Sequence, residues 1–519
     1  MSERPRWFQT TAIDYPNSRP HIGTAFEKLG ADVQARYRRM EGYDVVMLMG
    51  NDENTLKVAD KATELGRDTQ EYCDDMARQF REVWDLLDIQ YDVFIQTSHE
   101  RHKNCCRKFI QKVYDNGHIY KGEYSGWFCP GCEEFKSDKV HKDNNGNCPN
   151  HNRPLVRRSE PCWFFRLSAF KDRLIKHLKD HPNFIQPEIR RNEMLGILEV
   201  DGLLDLNISR QGEQWGIPLP FDPEFTIYVW FDALLTYITG IGYGDDEEQF
   251  RKYWPCDVHF IGKDITRFHT LIWPAMLWAA GEELPRQVFS HGFVNINGTK
   301  MGKALGNVKE PREIIEKSSV DVYRYYFMRE CPFPDDGDYS GERYEEVNDS
   351  ELSNNLGNLL SRVVTIPAKN FNSALTGTAN QLPQPAVPGL DLALFVGKVR
   401  ELVETCRYNM ALQTIFLELL TPTNQYLESN APWKLVKTDM EAAKQVIFNA
   451  IQSLRIASIL LKPFIPTSAA TIYNSFNFDI PWDQVKYADA TELRSQPEDL
   501  RIMAELVEGK LKPLFPRLK

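Results

Sequence analysis

The order of apolar periodicities in the first fifty residues constrains the fold of this chain more than any other feature. A short apolar run ends at Ile13 and a turn-rich stretch follows it, which predicts a buried strand and a loop. Apolar residues at helical spacing then run from Ile22 to Met40, and Gly42 stands where such a helix should end. A second apolar run closes at Gly50. This order predicts a parallel α/β sheet with ligands at the carboxyl ends of its strands.

The pattern of apolar and turn-forming residues changes three times along the rest of the chain. The 519 residues are too many for one hydrophobic core. A loop-rich segment that contains cysteines interrupts the α/β pattern, which resumes with expected strands at Tyr228-Val229-Trp230-Phe231 and Val258-His259-Phe260-Ile261. Helical periodicity dominates the last third, apart from a Pro/Gly-rich connection from Leu382 to Leu390. We therefore expect one sheet split by an inserted domain and followed by a helical bundle, with the boundaries 1–117, 118–224, 225–348 and 349–519.

Bulk composition excludes several classes of protein. The net charge of −11 argues weakly against a protein that coats nucleic acid, although a local basic face stays open. The most apolar stretch is short and is broken by Pro274, so we expect no membrane segment. No secretion or import signal is recognisable at the N-terminus, and ten cysteines without such a signal indicate reduced thiols and a possible metal site. We expect a cytoplasmic protein.

Two short motifs carry residues suited to phosphate chemistry. His21 and Gly23 lie at the turn into the first helix, where main-chain N–H groups and the helix dipole favour phosphate. Lys300 and Lys303 stand three residues apart on a Gly-containing segment and could place two ammonium groups on a polyphosphate. Taken singly, His21 could be a helix cap and the lysines a solvated basic loop.

Together, these two motifs resemble the H-I-G-H and K-M-S-K-S signatures of class I aminoacyl-tRNA synthetases. The resemblance implies a split Rossmann-like catalytic domain and assigns catalytic roles to His21, Thr24, Lys300 and Lys303, with Lys303 on the transition-state phosphate. It also implies ATP with Mg²⁺. This chain departs from the family pattern at three positions: Thr24 stands where the family has histidine, and Gly302 and Ala304 stand where it usually has serines.

Further segments resemble methionyl-tRNA synthetases over nearly the whole chain. They include Ala12-Ile13-Asp14-Tyr15, Asn51-Asp52-Glu53, the run from Tyr228 to Ala233, and Phe260-Ile261-Gly262-Lys263-Asp264. The resemblance implies that Asp52 binds the methionine ammonium, with a pocket formed by Ile13, Tyr15, Trp230, Ala233, Tyr237, Phe268 and His269. It places Gly23, Gly262, Asp264 and Val294 against the adenosine. A long apolar slot with aromatic walls suits a thioether, although any single aromatic residue there could be plain core. Asn54 and Thr55 replace the His-Gly that often follows Asp-Glu in this family.

Cysteine spacing in the insertion indicates a metal site. Cys129 and Cys132 form one C-x-x-C pair, and fifteen residues later Cys148 and His151 form a second pair with the same separation. Three thiolates and one imidazole fill a tetrahedral zinc site and leave no position for substrate, so this Zn²⁺ would be structural. The alternative is a set of unligated surface cysteines.

The helical last third supplies the expected RNA partner. Asn354, Asn358 and Arg362 recur every four residues and so share one helix face, and Pro432 with Trp433 provides a ring for stacking on a base. These positions resemble the anticodon-reading residues of the same family. Helix capping and surface polarity would explain the asparagines equally well if they stood alone.

The resemblance therefore implies activation of L-methionine with ATP and its transfer to methionine tRNA, both initiator and elongator. The alternatives are a synthetase for leucine, isoleucine, valine or cysteine, or a tRNA-binding paralogue without activity. We expect a monomer, because the chain lacks the C-terminal module that dimerises some relatives.

Overall fold

The N-terminal two-thirds is built around a six-stranded parallel sheet. The computed structural model describes residues 4–129, 134–136, 138–149, 152–212, 215–302 and 306–519. Because the strand order reverses beside the first strand, a crevice opens there at the carboxyl ends of the strands, as the sequence predicts. In spatial order the strands are Val93–Gln96, Asp44–Asn51, Arg6–Thr11, Val258–Gly262, Val288–His291 and Ile185–Gln186.

The helix Ile22–Met40, called here the signature helix, confirms the predicted bounds. It is buried on nearly its whole circumference, because one face packs on the sheet and the opposite face on the C-terminal bundle. The other helical segments of this part are Leu56–Glu64, Thr69–Leu86, Glu100–Asp115, Val229–Ala233, Thr236–Thr239, Glu247–Tyr253, Lys263–Ile265, Phe268–Ile272, Trp273–Ala280, Pro311–Ile315 and Val320–Glu330.

The inserted segment is more regular than its loop-rich sequence suggests. Its central feature is a long antiparallel pair, Ile119–Cys129 with Val156–Phe165. One piece, Ile185–Gln186, pairs with Val288–His291 and so completes the central sheet. The remaining strands are Glu134–Lys136, Leu206–Asn207, Ser209–Gln211, Pro218–Leu219 and Asp222–Ile227, and the helices are Asp138–Asp143, Leu167–Phe170, Lys171–Asp180, Glu188–Gly196 and Ile197–Asp201.

One predicted strand is wrong. The strand ends at Ile227, and Trp230 lies instead in the short helix Val229–Ala233. Short apolar runs do not distinguish a strand from a buried helical turn, and here the helix turns Trp230 towards a cleft while Phe231 packs in the core.

A small sheet precedes the bundle and carries the second motif. Its strands are Val294–Ile296, Thr299–Lys300 and Gly337–Tyr339. The last third is mainly helical, as predicted, and its helical segments are Gly341–Val347, Asn348–Gly357, Asn358–Asn370, Leu392–Glu404, Tyr408–Ile415, Phe416–Leu420, Thr421–Asn430, Pro432–Leu435, Met440–Leu461, Pro466–Asn474, Trp482–Gln484 and Tyr487–Ala490.

Two small strand pairs depart from the helical expectation: Ala374–Leu375 with Leu500–Arg501, and Leu506–Val507 with Lys510–Leu511. The bundle shares one continuous apolar core with the face of the sheet that carries the signature helix. Among the described residues, no helix combines the length and apolarity needed to cross a membrane.

Candidate active site

A cleft of about 460 Å³ opens at the carboxyl ends of the strands Arg6–Thr11 and Val258–Gly262. Both halves of the split sheet line it. The predicted residues that the structure brings together here are Ile13, Tyr15, His21, Gly23, Thr24, Asp52, Trp230, Ala233, Tyr237, Gly262, Asp264, His269, Val294 and Lys300. A wider groove of about 1610 Å³, lined by charges of both signs such as Arg36 and Asp88, contains none of these residues and lies against the bundle.

The two signature motifs meet in this cleft. The main-chain N–H of Ile22, in the first turn of the signature helix, donates to the carbonyl of Lys309 at 2.9 Å. A Cβ placed on Gly23 would lie 3.0 Å from the Met301 methyl group, so the second motif packs directly on the first. The lack of a side chain at Gly23 permits this close approach and leaves the main chain open to a ligand.

His21 caps the signature helix, and this hydrogen bond selects the tautomer of its neutral ring. Nδ1 accepts from the main-chain N–H of Thr24 at 3.2 Å. In the neutral ring the hydrogen is consequently on Nε2, which leaves that nitrogen as a donor. The Thr24 hydroxyl is also 3.2 Å from Nδ1. The capping role and a phosphate-binding role are thus compatible.

Asn307 closes the loop that follows Lys300. Its side-chain oxygen accepts from the N–H of Gly302 at 2.8 Å, and its amide group donates to the carbonyl of Lys300 at 3.3 Å. The Lys300 ammonium lies 5.6 Å from the centre of the Phe293 ring, at the cleft. Lys303 and Ala304 lie outside the described residues.

Aromatic side chains form one wall of the cleft. The rings of Trp230 and Phe268 are stacked with centres 3.8 Å apart, and Tyr15 meets Trp230 edge-on at 6.4 Å. Phe268 therefore contributes by holding Trp230 from behind and does not itself line the cleft. The result is an apolar slot of the kind that fits an unbranched thioether.

The polar end of the slot is set by Tyr237 and His269. Burial lowers the pKa of His269 to about 4, so the ring is neutral. Its Nδ1 donates to the carbonyl of Ile265 at 3.1 Å, and Nε2 accepts from the Tyr237 hydroxyl at 2.7 Å. The Tyr237 oxygen keeps its lone pairs for the cleft, while its hydrogen is committed to His269.

Asp52 supplies a buried carboxylate at the same site. It is 2% exposed, and one of its carboxylate oxygens accepts no hydrogen bond from the part of the chain that the structure describes. Burial raises the pKa of Asp52 well above its usual value, and the charges of Asp232 and Glu53 raise it further, while a hydrogen bond from Tyr15 opposes them. A carboxylate in these surroundings gains most from a ligand that brings a positive charge.

A second group of charges at the cleft was not predicted from the sequence. Glu27 lies between the Lys28 ammonium at 2.7 Å and Nε2 of His291 at 2.9 Å. Although burial opposes its ionisation, Lys28 and His291 hold the pKa of Glu27 below its usual value. Burial raises the pKa of Asp14, also bonded to Lys28, to about 7. The position of Glu27 four residues after Gly23, on the same helix face, could have indicated its place.

The predicted anticodon residues share one region of the bundle. Asn354, Asn358 and Trp433 are exposed and Pro432 is buried. The Arg362 guanidinium lies 5.6 Å from the centre of the Trp433 ring and pairs with Glu428 at 2.6 Å. Arg517 donates to the side-chain oxygen of Asn354 at 2.7 Å. The asparagine row and the tryptophan are therefore joined through Arg362.

Of the four predicted zinc ligands, Cys129 and Cys148 are described, and Cys132 and His151 lie outside the described residues. Cys129 and Cys148 are both buried and share a small apolar cluster with Leu155. Main-chain bonds between Cys148 and Arg153, and between Asn152 and Cys148, fold the second cysteine segment into a tight turn. This arrangement fits a two-knuckle metal site.

Comparison with known proteins identifies the family. The family model described as "tRNA synthetases class I (M)" matches residues 7–154 and 150–364, and the "Anticodon binding domain of methionyl tRNA ligase" matches residues 398–501. A methionine–tRNA ligase of Thermotoga maritima is 42% identical over 91% of this chain and 76% of its own length. One of Nostoc sp. is 39% identical over 98% of this chain and 97% of its own length.

Solved structures agree with these matches. The methionyl-tRNA synthetase of Mycobacterium tuberculosis, in complex with methionyl-adenylate, is 34% identical and superposes with a TM-score of 0.87 over 99% of this chain and 100% of that one. The two motifs that meet at the cleft, the helical bundle behind them and the similarity along almost the entire length lead to one conclusion. The chain belongs to the methionine–tRNA ligases, the methionyl-tRNA synthetases of class I.

Proposed function

We propose that the cleft described above is where this chain activates L-methionine with ATP and then transfers the methionyl group to the 3′ end of its tRNA. The observation that carries the proposal is the packing of Met301 on Gly23, because it brings both signature motifs to one ligand site. The same cleft holds an aromatic slot and a buried carboxylate. The family membership supports methionine as the amino acid.

Methionine fits the slot with its thioether against the ring of Trp230, which Phe268 supports from behind. Ile13, Tyr15, Ala233, Tyr237 and His269 complete the pocket. The ammonium group would pair with Asp52, whose burial makes an unpaired negative charge costly. Its carboxylate would then lie towards the N-terminus of the signature helix, where the phosphates of ATP bind.

ATP, as its magnesium complex, would bind with the adenosine against Gly23, Gly262, Asp264 and Val294, which all line the cleft. A methionine carboxylate oxygen forms a bond to the α-phosphorus, the bond from that phosphorus to the bridging oxygen breaks, and pyrophosphate leaves. His21 donates to the phosphates from Nε2, and Thr24, Lys300 and Lys303 stabilise the developing charge. The adenylate is then attacked by a ribose hydroxyl of the terminal adenosine of tRNA, by family resemblance the 2′-hydroxyl.

The bundle would bind the anticodon through Asn354, Asn358, Arg362, Pro432 and Trp433. Exposed amides on one helix face suit base edges, and an exposed indole suits stacking, which contributes roughly 1–3 kcal/mol per base. Because initiator and elongator methionine tRNAs have the same anticodon, we propose that both are substrates. We also propose that the enzyme acts as a monomer in the cytoplasm.

Zinc would be held by Cys129, Cys132, Cys148 and His151 and would stabilise the fold of the insertion without taking part in the reaction. The burial of Cys129 and Cys148 beside Leu155 supports this assignment. Metal analysis of the purified protein should find about one zinc ion per chain, and Cys148→Ser should release it. A zinc-free protein whose unfolding temperature does not change on adding zinc would contradict the proposal.

Methionine-dependent ATP–pyrophosphate exchange tests the assigned reaction. A panel of methionine, leucine, isoleucine, valine and cysteine should support exchange with methionine alone at low concentration. Lys303→Ala should lower kcat about 100-fold or more, since it removes charge from the phosphate transition state. Lys309→Ala is the matched control. Its exposed side chain pairs with Glu313, its one ion-pair partner among the described residues, and its main-chain carbonyl, which the substitution keeps, accepts from Ile22.

Two outcomes would contradict the assignment. Exchange that prefers another amino acid would show that the slot is not a methionine pocket. Binding of tRNA without any exchange would indicate a protein that has kept the RNA site and lost the reaction.

A further inference from the structure

A buried row of polar side chains lies behind Asp52. Asp232, in the short helix that carries Trp230 and Ala233, receives hydrogen bonds on both of its carboxylate oxygens. His102 Nε2 lies 2.6 Å from Oδ1, and the Asn54 amide donates to Oδ2 at 2.8 Å. The side chains of His102 and Asp232 are each 1% exposed. Asn54 also donates to the carbonyl of Thr97 at 2.9 Å, so both amide hydrogens are in use and its orientation is fixed.

The hydrogen bonds determine how many protons His102 and Asp232 hold together. The Thr239 hydroxyl donates to the carbonyl of Leu235 at 2.9 Å, so it has no hydrogen left for His102. His102 Nδ1, 3.0 Å from that hydroxyl oxygen, must therefore donate to it. A further hydrogen must lie between Nε2 and Oδ1, because neither a bare nitrogen nor a carboxylate oxygen can donate. Whichever of the two atoms carries it, His102 and Asp232 together have no net charge.

This neutrality matters for Asp52. A negative charge on Asp232 raises the pKa of Asp52, and a protonated Asp52 offers no charge to an ammonium group. Among the other ionisable groups whose charges act on Asp52 or on Asp232, the thiols and the phenols are uncharged near neutral pH, because burial raises their pKa values. Burial raises the pKa of Glu53 to about 7, so Glu53 is about half ionised there in the wild type and in the variants alike. These groups are Tyr15, Glu53, Tyr237, Cys105 and Cys106.

We propose that His102 is a positioning residue for methionine binding, which shares a proton with Asp232 so that Asp52 stays ionised and can pair with the ammonium group. The proposal rests on the assignment of Asp52 to the ammonium. Through Asp232 and Asn54, the same row joins the helix carrying Trp230 to the segment carrying Asp52, so it also fixes the distance between the two ends of the methionine site.

A metal ion does not fit this row. The ligand atoms of His102, Cys106 and Asp232 all lie within 4.8 Å of one another. Two ligands of a tetrahedral zinc ion, at bond lengths of about 2.0–2.1 Å, lie roughly 3.3 Å apart. The 2.6 Å separation of Nε2 and Oδ1 is that of a charge-assisted hydrogen bond.

The test compares His102→Gln, Asp232→Asn and the double variant by methionine-dependent pyrophosphate exchange from about pH 6 to about pH 9. The amide introduced by His102→Gln keeps a hydrogen-bond donor and loses the shared proton, so Asp232 becomes a net negative charge beside Asp52. One unit of additional shift in the pKa of Asp52 corresponds to about a tenfold rise in the KM for methionine at neutral pH. We expect this rise with kcat within about twofold, and a return towards the wild-type KM as the pH increases.

The double variant distinguishes charge from structure. Without the negative charge at position 232, the double variant should regain most of the methionine affinity that His102→Gln loses. A double variant weaker than either single one, or a fall in kcat without a shift in the pH profile, would overturn the proposal. If His102→Gln does not fold, Asp232→Asn remains informative. The pair is neutral in the wild type and stays neutral in this variant, so the acid limb of the KM profile should keep its position. A shift of that limb to lower pH would show that Asp232 carries a net negative charge in the wild type, which would overturn the proposal.

Asp52→Asn separates this proposal from the one on which it rests. If Asp52→Asn greatly raises the KM for methionine and His102→Gln leaves it unchanged at every pH, then Asp52 binds the ammonium and His102 has no part in it. If Asp52→Asn leaves the KM unchanged, the assignment of the ammonium site is itself wrong.

Discussion

The imidazole of His21 has two uses that sequence reasoning treats as alternatives. As a helix cap it accepts through Nδ1 from the N–H of Thr24, and as a phosphate ligand it would donate through Nε2. The cap selects the tautomer that the second use needs. The same logic applies to His269, whose Nδ1 donates to a carbonyl and whose Nε2 accepts from Tyr237. At both residues, a bond to the fold sets the chemistry offered to the ligand.

The Tyr237 hydroxyl allows a direct test at this scale. In Tyr237→Phe, His269 Nε2 loses its donor inside the protein, at a cost of roughly 1–3 kcal/mol. Because both side chains line the cleft, we expect about a tenfold higher KM for methionine with a small change in kcat. Steady-state exchange kinetics measure both. Tyr253→Phe, which removes a hydroxyl bonded to Asp44 away from the cleft, should behave like the wild type, and equal KM values for the two variants would contradict the argument.

The motifs predicted the site residues that belong to a recognisable short sequence pattern. They did not predict residues that become neighbours only when distant segments of the chain pack together. His21, Gly23, Asp52 and Lys300 stand in motifs and reach the cleft. Glu27 and His291, 264 residues apart, become partners only when the helix and a strand pack together. Phe268 was expected to line the pocket, but it lies behind Trp230, because residue type alone does not tell which of two stacked rings faces the ligand.

At the scale of elements, the signature helix shows what apolar periodicity can predict and what it cannot. Its apolar spacing predicted both ends, since Ile22 and Met40 bound a continuous apolar face. Its burial on the opposite side was not predictable, because polar residues such as Asp32 and Gln34 are buried there by partners from distant parts of the chain. The strand Ile185–Gln186 was missed for a similar reason: two residues carry no periodicity, and only pairing with Val288–His291 defines them.

Gly30 is the element-scale position that we expect to tolerate substitution least. A Cβ there would lie 2.1 Å from the ring of Phe333, which is fully buried and packed against Phe26, His291 and Tyr408. The usual gain from Gly→Ala in a helix, about 0.5–1 kcal/mol, should therefore be outweighed by a packing cost of about 1–3 kcal/mol or more. Thermal unfolding of Gly30→Ala should show a lower midpoint than the wild type.

Gly397 provides the matched control for Gly30. It also lies inside a helix, Leu392–Glu404, but apart from the backbone of that helix and its chain neighbours, no atom of the described residues lies within 4 Å of a Cβ placed there. Gly397→Ala should raise the midpoint slightly, since only the helix propensity changes. Equal shifts in the two variants would show that the ring of Phe333 moves aside freely.

Arg324 connects the signature helix of the catalytic part to the C-terminal bundle. Its guanidinium is fully buried and pairs with Asp32 of the signature helix at 2.5 Å. It also donates to the carbonyls of Leu87 and Asp88, and to those of Pro463 and Phe464 at the end of the helix Met440–Leu461. One side chain thus ties the helix that would bind the phosphates of ATP to the bundle that would bind the anticodon.

Arg324→Met keeps most of the side-chain volume but removes every one of these donors. Asp32 would retain Arg36, bonded at 2.7 Å, but the buried carbonyls of Leu87, Pro463 and Phe464 would lose a donor. The partly buried carbonyl of Asp88 would keep its bond from Arg36. Breaking a buried ion pair from one side costs roughly 3–5 kcal/mol, so the unfolding midpoint should fall by several degrees. Arg343→Met is the control, because that side chain is 46% exposed and its pairs with Glu330 and Glu346 contribute at most about 1 kcal/mol.

Because Arg324 lies between the signature helix and the bundle, we expect its substitution to affect the two reactions unequally, which a loss of stability alone would not do. If the bundle and the signature helix hold their relative position through this guanidinium, Arg324→Met should lower tRNA charging more than pyrophosphate exchange at a temperature where both proteins are folded, because exchange needs only the cleft. A variant with equal losses in both reactions would show that Arg324 stabilises the molecule without aligning its two ends.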